Sequence, residues 1–160
     1  LTLHEATIEV LRADLAGPAS LGTALGCAVT SEWPPEMYPP EKVERRIRAL
    51  ADPSQRGWWS WYAVERETNT LVGMATYLGK PVGGEVEVGY AICHSAQRRG
   101  FASEALAALV ERAWAEPAVE RIVAVTTPEN TGSIAVLLKA GFAPIAAPEG
   151  EAHFRLQRHQ

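Results

Sequence analysis

Cysteine is scarce in this chain of 160 residues: Cys27 and Cys93 stand far apart with no C-x-x-C spacing, which argues against a disulfide framework and a thiolate zinc site. The four histidines, His4, His94, His153 and His159, fall in no metal-ligand pattern, so no metal is expected. Long apolar runs are missing, and the opening LTLHEATIEVLRADL carries Glu5 and Glu9 where a secretory signal needs a basic start and an apolar core. The expectation is a cytoplasmic protein in a reducing compartment, with no membrane partner. Charge of one sign is not in large excess either. Fifteen Lys and Arg against 19 Asp and Glu give a net charge of −4, which argues against nucleic acid as the main ligand, because that affinity rests on a basic face. Internal repeats and low-complexity tracts are absent. With 47% hydrophobic and 21% charged residues, the composition is that of an ordinary globular protein, and the length suits a single domain over 1–160.

Periodicity and breakers divide the chain into alternating elements. A strand end at 1–4 precedes a helix at 7–16, stopped by Gly17-Pro18, and a second short helix at 18–25. SEWPPEMYPPE, 31–41, holds four prolines and reads as a loop leading into a helix at 41–51. That helix sets Val43, Ile47 and Leu50 on one face, and its Lys and Arg residues read as a solvated face. From Trp58 the pattern turns to β: WWSWYAV, a turn at 67–69, then TLVGMATY as a hairpin partner. A strand at 85–93, a helix at 102–115, a β-branched strand at 121–127 expected to be buried on both faces, a helix at 131–140 ended by Gly141, and a last strand in EAHFRLQ complete the order. This is an α+β chain: helices, an antiparallel meander, then β-α-β-α-β, giving a mixed sheet covered by helices.

One segment carries more chemistry than the others. In 87–110 a strand with alternating Val86, Val88, Tyr90 and Ile92 runs through QRRGFA, 97–102, into a helix with Leu106, Leu109, Val110, Ala113 and Trp114 at helical spacing. A helix N-terminus leaves backbone N–H groups unpaired and partly positive, so a turn that aims them inward is an anion site. Gly100 permits a left-handed backbone, Ala102 keeps the next turn thin, and Arg98 and Arg99 add positive charge. The segment is neither a P-loop, since no Gly-Lys-Ser/Thr follows, nor a three-glycine dinucleotide fingerprint.

The order of EVGYAI, QRRGFASEAL and, about 30 residues later, NTGSIAVLLKAGF resembles the GNAT superfamily of acyl-CoA-dependent N-acetyltransferases. The likeness spans roughly 55–145, and the Asn130, Ser133, Lys139, Gly141-Phe142 series is similar to the branch that acetylates ribosomal-protein N-termini. It implies a mostly antiparallel sheet in which the EVGYAI strand splays from the RIVAVTT strand to hold acyl-CoA. Residues 97–102 (Gln97, Arg98, Arg99, Gly100, Phe101, Ala102), with Ser103, would bind the pyrophosphate of acetyl-CoA. The Tyr90 and Ile92 backbones would face the pantetheine arm, and Asn130 and Ser133 would contact the cofactor or cap the next helix. Gly89 is a candidate bulge opening the gap.

Acetyl transfer to a primary amine, a peptide N-terminus or a small metabolite, then requires a base for the ammonium proton, an oxyanion donor and a proton for the leaving thiolate. By resemblance Glu87 is the base, with Glu85 in reserve, and the Tyr90 N–H is the oxyanion donor. Many members of the family take the thiolate's proton from a tyrosine seven residues after the helix-start Asn. Here that position is Leu137, and Ser133 is the substitute acid. Direct transfer in a ternary complex is expected over a covalent route through Cys93-His94, whose side chains point to opposite faces of a strand. Trp33, Trp58, Trp59 and Trp61 read mainly as core or anchors, and a homodimer is compatible with the family. The rival from another class is a non-catalytic acyl-CoA-binding module, favoured by Leu137 and opposed by Glu87.

Overall fold

The computed structural model describes residues 1–159. Its centre is a seven-stranded sheet of order β1-β2-β3-β4-β5-β7-β6, where β1 is Thr2–Glu5, β2 Ser60–Glu65, β3 Thr70–Tyr77, β4 Glu85–Ile92, β5 Arg121–Thr126, β6 Ala143–Ile145 and β7 Ala152–Gln157. Every neighbouring pair is antiparallel except β4–β5, the one parallel pair. Parallel neighbours need a crossover, and α4, Phe101–Ala115, supplies it. The remaining helices are α1, Ile8–Ala16, α2, Pro18–Leu25, α3, Pro40–Ala49, and α5, Thr131–Lys139. The expected elements are all present within a residue or two at most ends. β6 is an addition: three residues are too short to show a period of two.

Alternation along β4 assigns its two faces. Val86 and Val88 pack with Ala105, Leu106 and Leu109 of α4, Ile122 and Ala124 of β5, Leu137 of α5, and Phe142 and Phe154. Glu85, Glu87 and Gly89 therefore lie on the opposite face. On that side α1 to α3 cover only the β1–β4 half, through a second core with Leu11, Leu21, Val43, Tyr62 and Met74. β5 is consequently buried on one face and not on both: Ile122 and Ala124 are enclosed, whereas Val125 is 42% exposed. A β-branched run cannot by itself say how many faces are covered.

A buried polar network ties this second layer to the sheet. The Asp14 carboxylate of α1 accepts from Trp33 Nε1 at 2.8 Å and from the Tyr62 hydroxyl at 2.7 Å, fixing the proline-rich loop and β2 to one anchor. Arg46 differs from the expected solvated face of α3: it is buried, its guanidinium 4.7 Å from the Tyr38 ring centroid. It sits three residues after Val43 and four before Leu50, on the inward stripe of the helix. The tryptophans pack as anchors, Trp33 and Trp59 buried, Trp58 edge-on to Tyr77 at 5.0 Å, and Arg112 over both Trp58 and Trp61.

Candidate functional site

β4 is paired along both edges only for its first half. Leu78 N donates to Glu87 O at 3.1 Å and Cys93 N to Val72 O at 2.8 Å, so the odd-numbered residues turn their backbone groups toward β3. Val88, Tyr90 and Ile92 then turn theirs toward β5. Pairing with β5 runs from Glu85↔Arg121 to Val88↔Ala124 and stops. Past that point Tyr90 and Ile92 face an open side with no β5 partner. Gly89 is not a bulge: β3 and β4 stay in register through Thr76↔Gly89, and the irregularity in the sheet lies between Ala63 and Val64 of β2. The gap comes from the end of β4–β5 pairing and needs no inserted residue.

The turn after β4 has the expected shape. Gly100 has φ 84° and N-caps α4, and a Cβ added there would meet nothing within 4 Å. Glu104 N donates to Gly100 O at 3.0 Å, so the Phe101, Ala102 and Ser103 amides have no acceptor within the helix and are free for an anion at its positive end. Arg98 is exposed, with φ 60°. Two residues of the motif are engaged elsewhere. Gln97 Nε2 donates to Ile92 O at 3.1 Å, tying the turn back to its strand. Arg99 forms a two-pronged pair with Glu65 of β2 and lies over Phe101, 4.7 Å from the ring centroid. Glu65, whose carboxyl Arg99 and then Thr68 hold below the usual range, was not singled out in the sequence. Only a known hairpin register would have placed it beside the turn. A cavity of about 230 Å³ lies there, lined by Glu32, Glu65, Cys93, Ser95 and Arg99 among others.

Across the gap, Asn130 N-caps α5, its Oδ1 accepting from Ser133 N at 3.1 Å. The Tyr90 hydroxyl reaches over from β4 to lie 3.0 Å from Ser133 Oγ. Leu137, one helical turn further on, is 1% exposed and part of the core.

On the opposite face of β4, Glu87 is half-buried, and burial raises its carboxyl pKa above the ordinary glutamate value. His153 and Arg45 act against that rise, and Glu85 and Glu151 add to it. Arg45 of α3 lies over Trp59, 5.8 Å from the ring centroid, so a residue read as solvated borders the approach to Glu87. Glu85 is bridged to Arg121 at 2.9 Å, which engages the reserve base. Cys93 is buried, its thiol pushed up to about 11 by that burial and by the Glu32 charge, the reverse of what a nucleophile needs. Among the described residues no group of three or more His, Cys, Asp or Glu could hold a metal ion, and no helix is long and apolar enough to cross a membrane.

Residues 20–143 match the family described as Acetyltransferase (GNAT) domain. A curated relative, the uncharacterized N-acetyltransferase YjdG of Bacillus subtilis (strain 168), is 31% identical over 119 residues, covering 74% of this chain and 71% of that protein. The fold is shared with a ribosomal-protein-alanine N-acetyltransferase from Brucella melitensis, at a TM-score of 0.66 and 19% identity over 99% of this chain and 100% of the other. It is shared too with the N-acetyltransferase PseH from Campylobacter jejuni in complex with acetyl coenzyme A, at a TM-score of 0.60 and 13% identity over 74% and 79% of the two chains. The chain belongs to the GNAT acetyltransferase family and is an N-acetyltransferase with acetyl-CoA as its acetyl donor.

Proposed function

We propose that this GNAT acetyltransferase transfers the acetyl group directly, within a ternary complex, to a primary amine that is either a peptide N-terminus or a small amine. The observation that carries the reading is the half-unpaired strand: one segment of β4 offers the Tyr90 backbone and the Ile92 amide to an open edge, leads into the Gly100 turn, and holds Glu87 on the other face. An extended amide-bearing arm pairs with such an edge as an added strand. The free amides of Phe101, Ala102 and Ser103 and the exposed Arg98 suit the pyrophosphate, while Gln97 and Arg99 hold the turn in shape.

Each residue then has a role in the chemistry. Glu87 takes the ammonium proton, directly or through water, since an alkylamine of pKa ~10 is almost wholly protonated at neutral pH. Its raised pKa makes it a better proton acceptor than a free carboxylate. The Tyr90 N–H donates to the carbonyl oxygen on which charge develops. Ser133, at the start of α5, supplies the leaving thiolate's proton.

A cytoplasmic location and a homodimer go with this reading, and sedimentation tests the dimer. The acceptor is tested by following coenzyme A release from acetyl-CoA over a panel of peptides with free N-termini, polyamines and amino acids. Turnover on members of one class defines the acceptor. Thermal stabilisation by acetyl-CoA without turnover on any amine would sink the catalytic reading in favour of a binding module.

A further inference from the structure

Leu137 lies where many members of the family carry the tyrosine acid, and its burial in the core keeps any proton donor at that position out of the gap. A phenol arrives from another element. Tyr90, two residues past the last β4–β5 pair, sends its hydroxyl to within 3.0 Å of Ser133 Oγ and 3.3 Å of the Ser133 carbonyl. The two residues are half-buried and bridge the open side of β4 to the first turn of α5. The Ser133 main chain is already engaged: Asn130 caps its amide, and its carbonyl lies inside α5, where the helical ladder uses it. Of the two oxygens within reach of the phenol, the side-chain oxygen is the nearer acceptor, at 3.0 Å against 3.3 Å.

Counting hydrogens gives the consequence. A phenol has one proton and a serine hydroxyl has one. When Tyr90 donates to Ser133 Oγ, the serine proton is left free to donate to a third atom.

Resting on the acetyl-transfer reading above, we infer that Tyr90 and Ser133 form a two-hydroxyl donor that protonates the coenzyme A sulfur, replacing the acid missing at position 137. As the tetrahedral adduct collapses, the C–S bond breaks and its electron pair stays on sulfur. Sulfur takes the Ser133 proton, and Ser133 takes the Tyr90 proton. The proton lost by the amide nitrogen passes through solvent to restore Tyr90, so one proton moves in net from nitrogen to sulfur. Ser133 is the member that meets the sulfur, and Tyr90 is a positioning residue that sets the direction of the serine proton. Burial raises the pKa of the Tyr90 phenol, and the Ser133 hydrogen bond acts against it, so the phenol keeps its proton through the neutral range.

The test compares two ligands by calorimetry: coenzyme A, which carries the sulfur, and desulfo-coenzyme A, which lacks it. In Tyr90→Phe and Ser133→Ala, coenzyme A should bind roughly five- to tenfold more weakly, as expected for losing one hydrogen bond, with desulfo-coenzyme A unchanged within about twofold. The double variant should be no weaker than the weaker single one, since the two hydroxyls act as a unit. Equal losses for the two ligands would assign Tyr90 and Ser133 to holding α5 in place and overturn the inference, as would no loss for either. Failure of the unaltered protein to bind acetyl-CoA would bring down the acetyl-transfer reading itself, a result separate from any of these.

Discussion

Arg99 donates from both terminal nitrogens to the Glu65 carboxylate, Nη1 reaching Oε2 at 3.3 Å and Nη2 pairing with Oε1. Glu65, the last residue of β2, thus neutralises one of the two arginines in the turn proposed to meet the donor's phosphates. Arg98, exposed and without an ion pair among the described residues, is left as the turn's free cation.

The two arginines should therefore behave differently. Arg98→Ala should weaken acetyl-CoA binding at low ionic strength, by about tenfold for a charge-assisted contact to phosphate, with the effect shrinking as salt is added. Glu65→Gln should tighten binding by about threefold at low salt, because it removes a negative charge beside an anion site and frees Arg99. Acetyl-CoA titrations at two salt concentrations check both signs.

Glu87 gives a prediction in pH. Its carboxyl is raised by burial, so the folded state holds the proton more tightly than the unfolded chain does. Stability should fall as pH rises from the ordinary glutamate value through the raised one, and Glu87→Gln should abolish that fall. In the rate, the acid limb of kcat should lie above the ordinary glutamate range, and the Gln variant should lose the limb and roughly 10²-fold in kcat with acetyl-CoA affinity unchanged. Thermal melts and pH–rate profiles measure the two effects separately.

Restoring a tyrosine at position 137 should not restore an acid. Leu137 is enclosed by α4, α5 and the sheet, and a larger, polar ring there overpacks the core. Leu137→Tyr should lose about 1–3 kcal/mol of stability with no rise in kcat. A chemical denaturation curve and a single saturating rate determine both.

Local signals in the residues carry much of this fold, and contacts made at long range do not show in them. Gly17-Pro18, the glycine turn and the change from period two to period 3.6 are local signals, and they located the helices and six of the strands. QRRGFA was legible as a glycine turn opening a helix because its signal lies in consecutive residues, and Asn130 as a cap because its partner is three residues away. Contacts made by tertiary approach were not legible. The side chains of Gln97 and Arg99, expected on phosphate, are held by Ile92 and Glu65. Arg46 was hidden by its charge, although its spacing from Val43 marked the inward face. The single-sided burial of β5 and the absence of a bulge at Gly89 depend on what covers and pairs each strand, which no period reports.

The proposed seat of acetyl-CoA, on the turn at Gly100 and the open edge of β4, is best probed by titrating the cofactor into the unaltered protein and into Gly100→Glu. The substitution forces a side chain onto a left-handed backbone and sets a carboxylate among the free helix amides. Saturable binding to the unaltered protein is expected, with a loss of at least roughly tenfold, about 1.4 kcal/mol, in the variant. Equal affinities in the two proteins would contradict that seat.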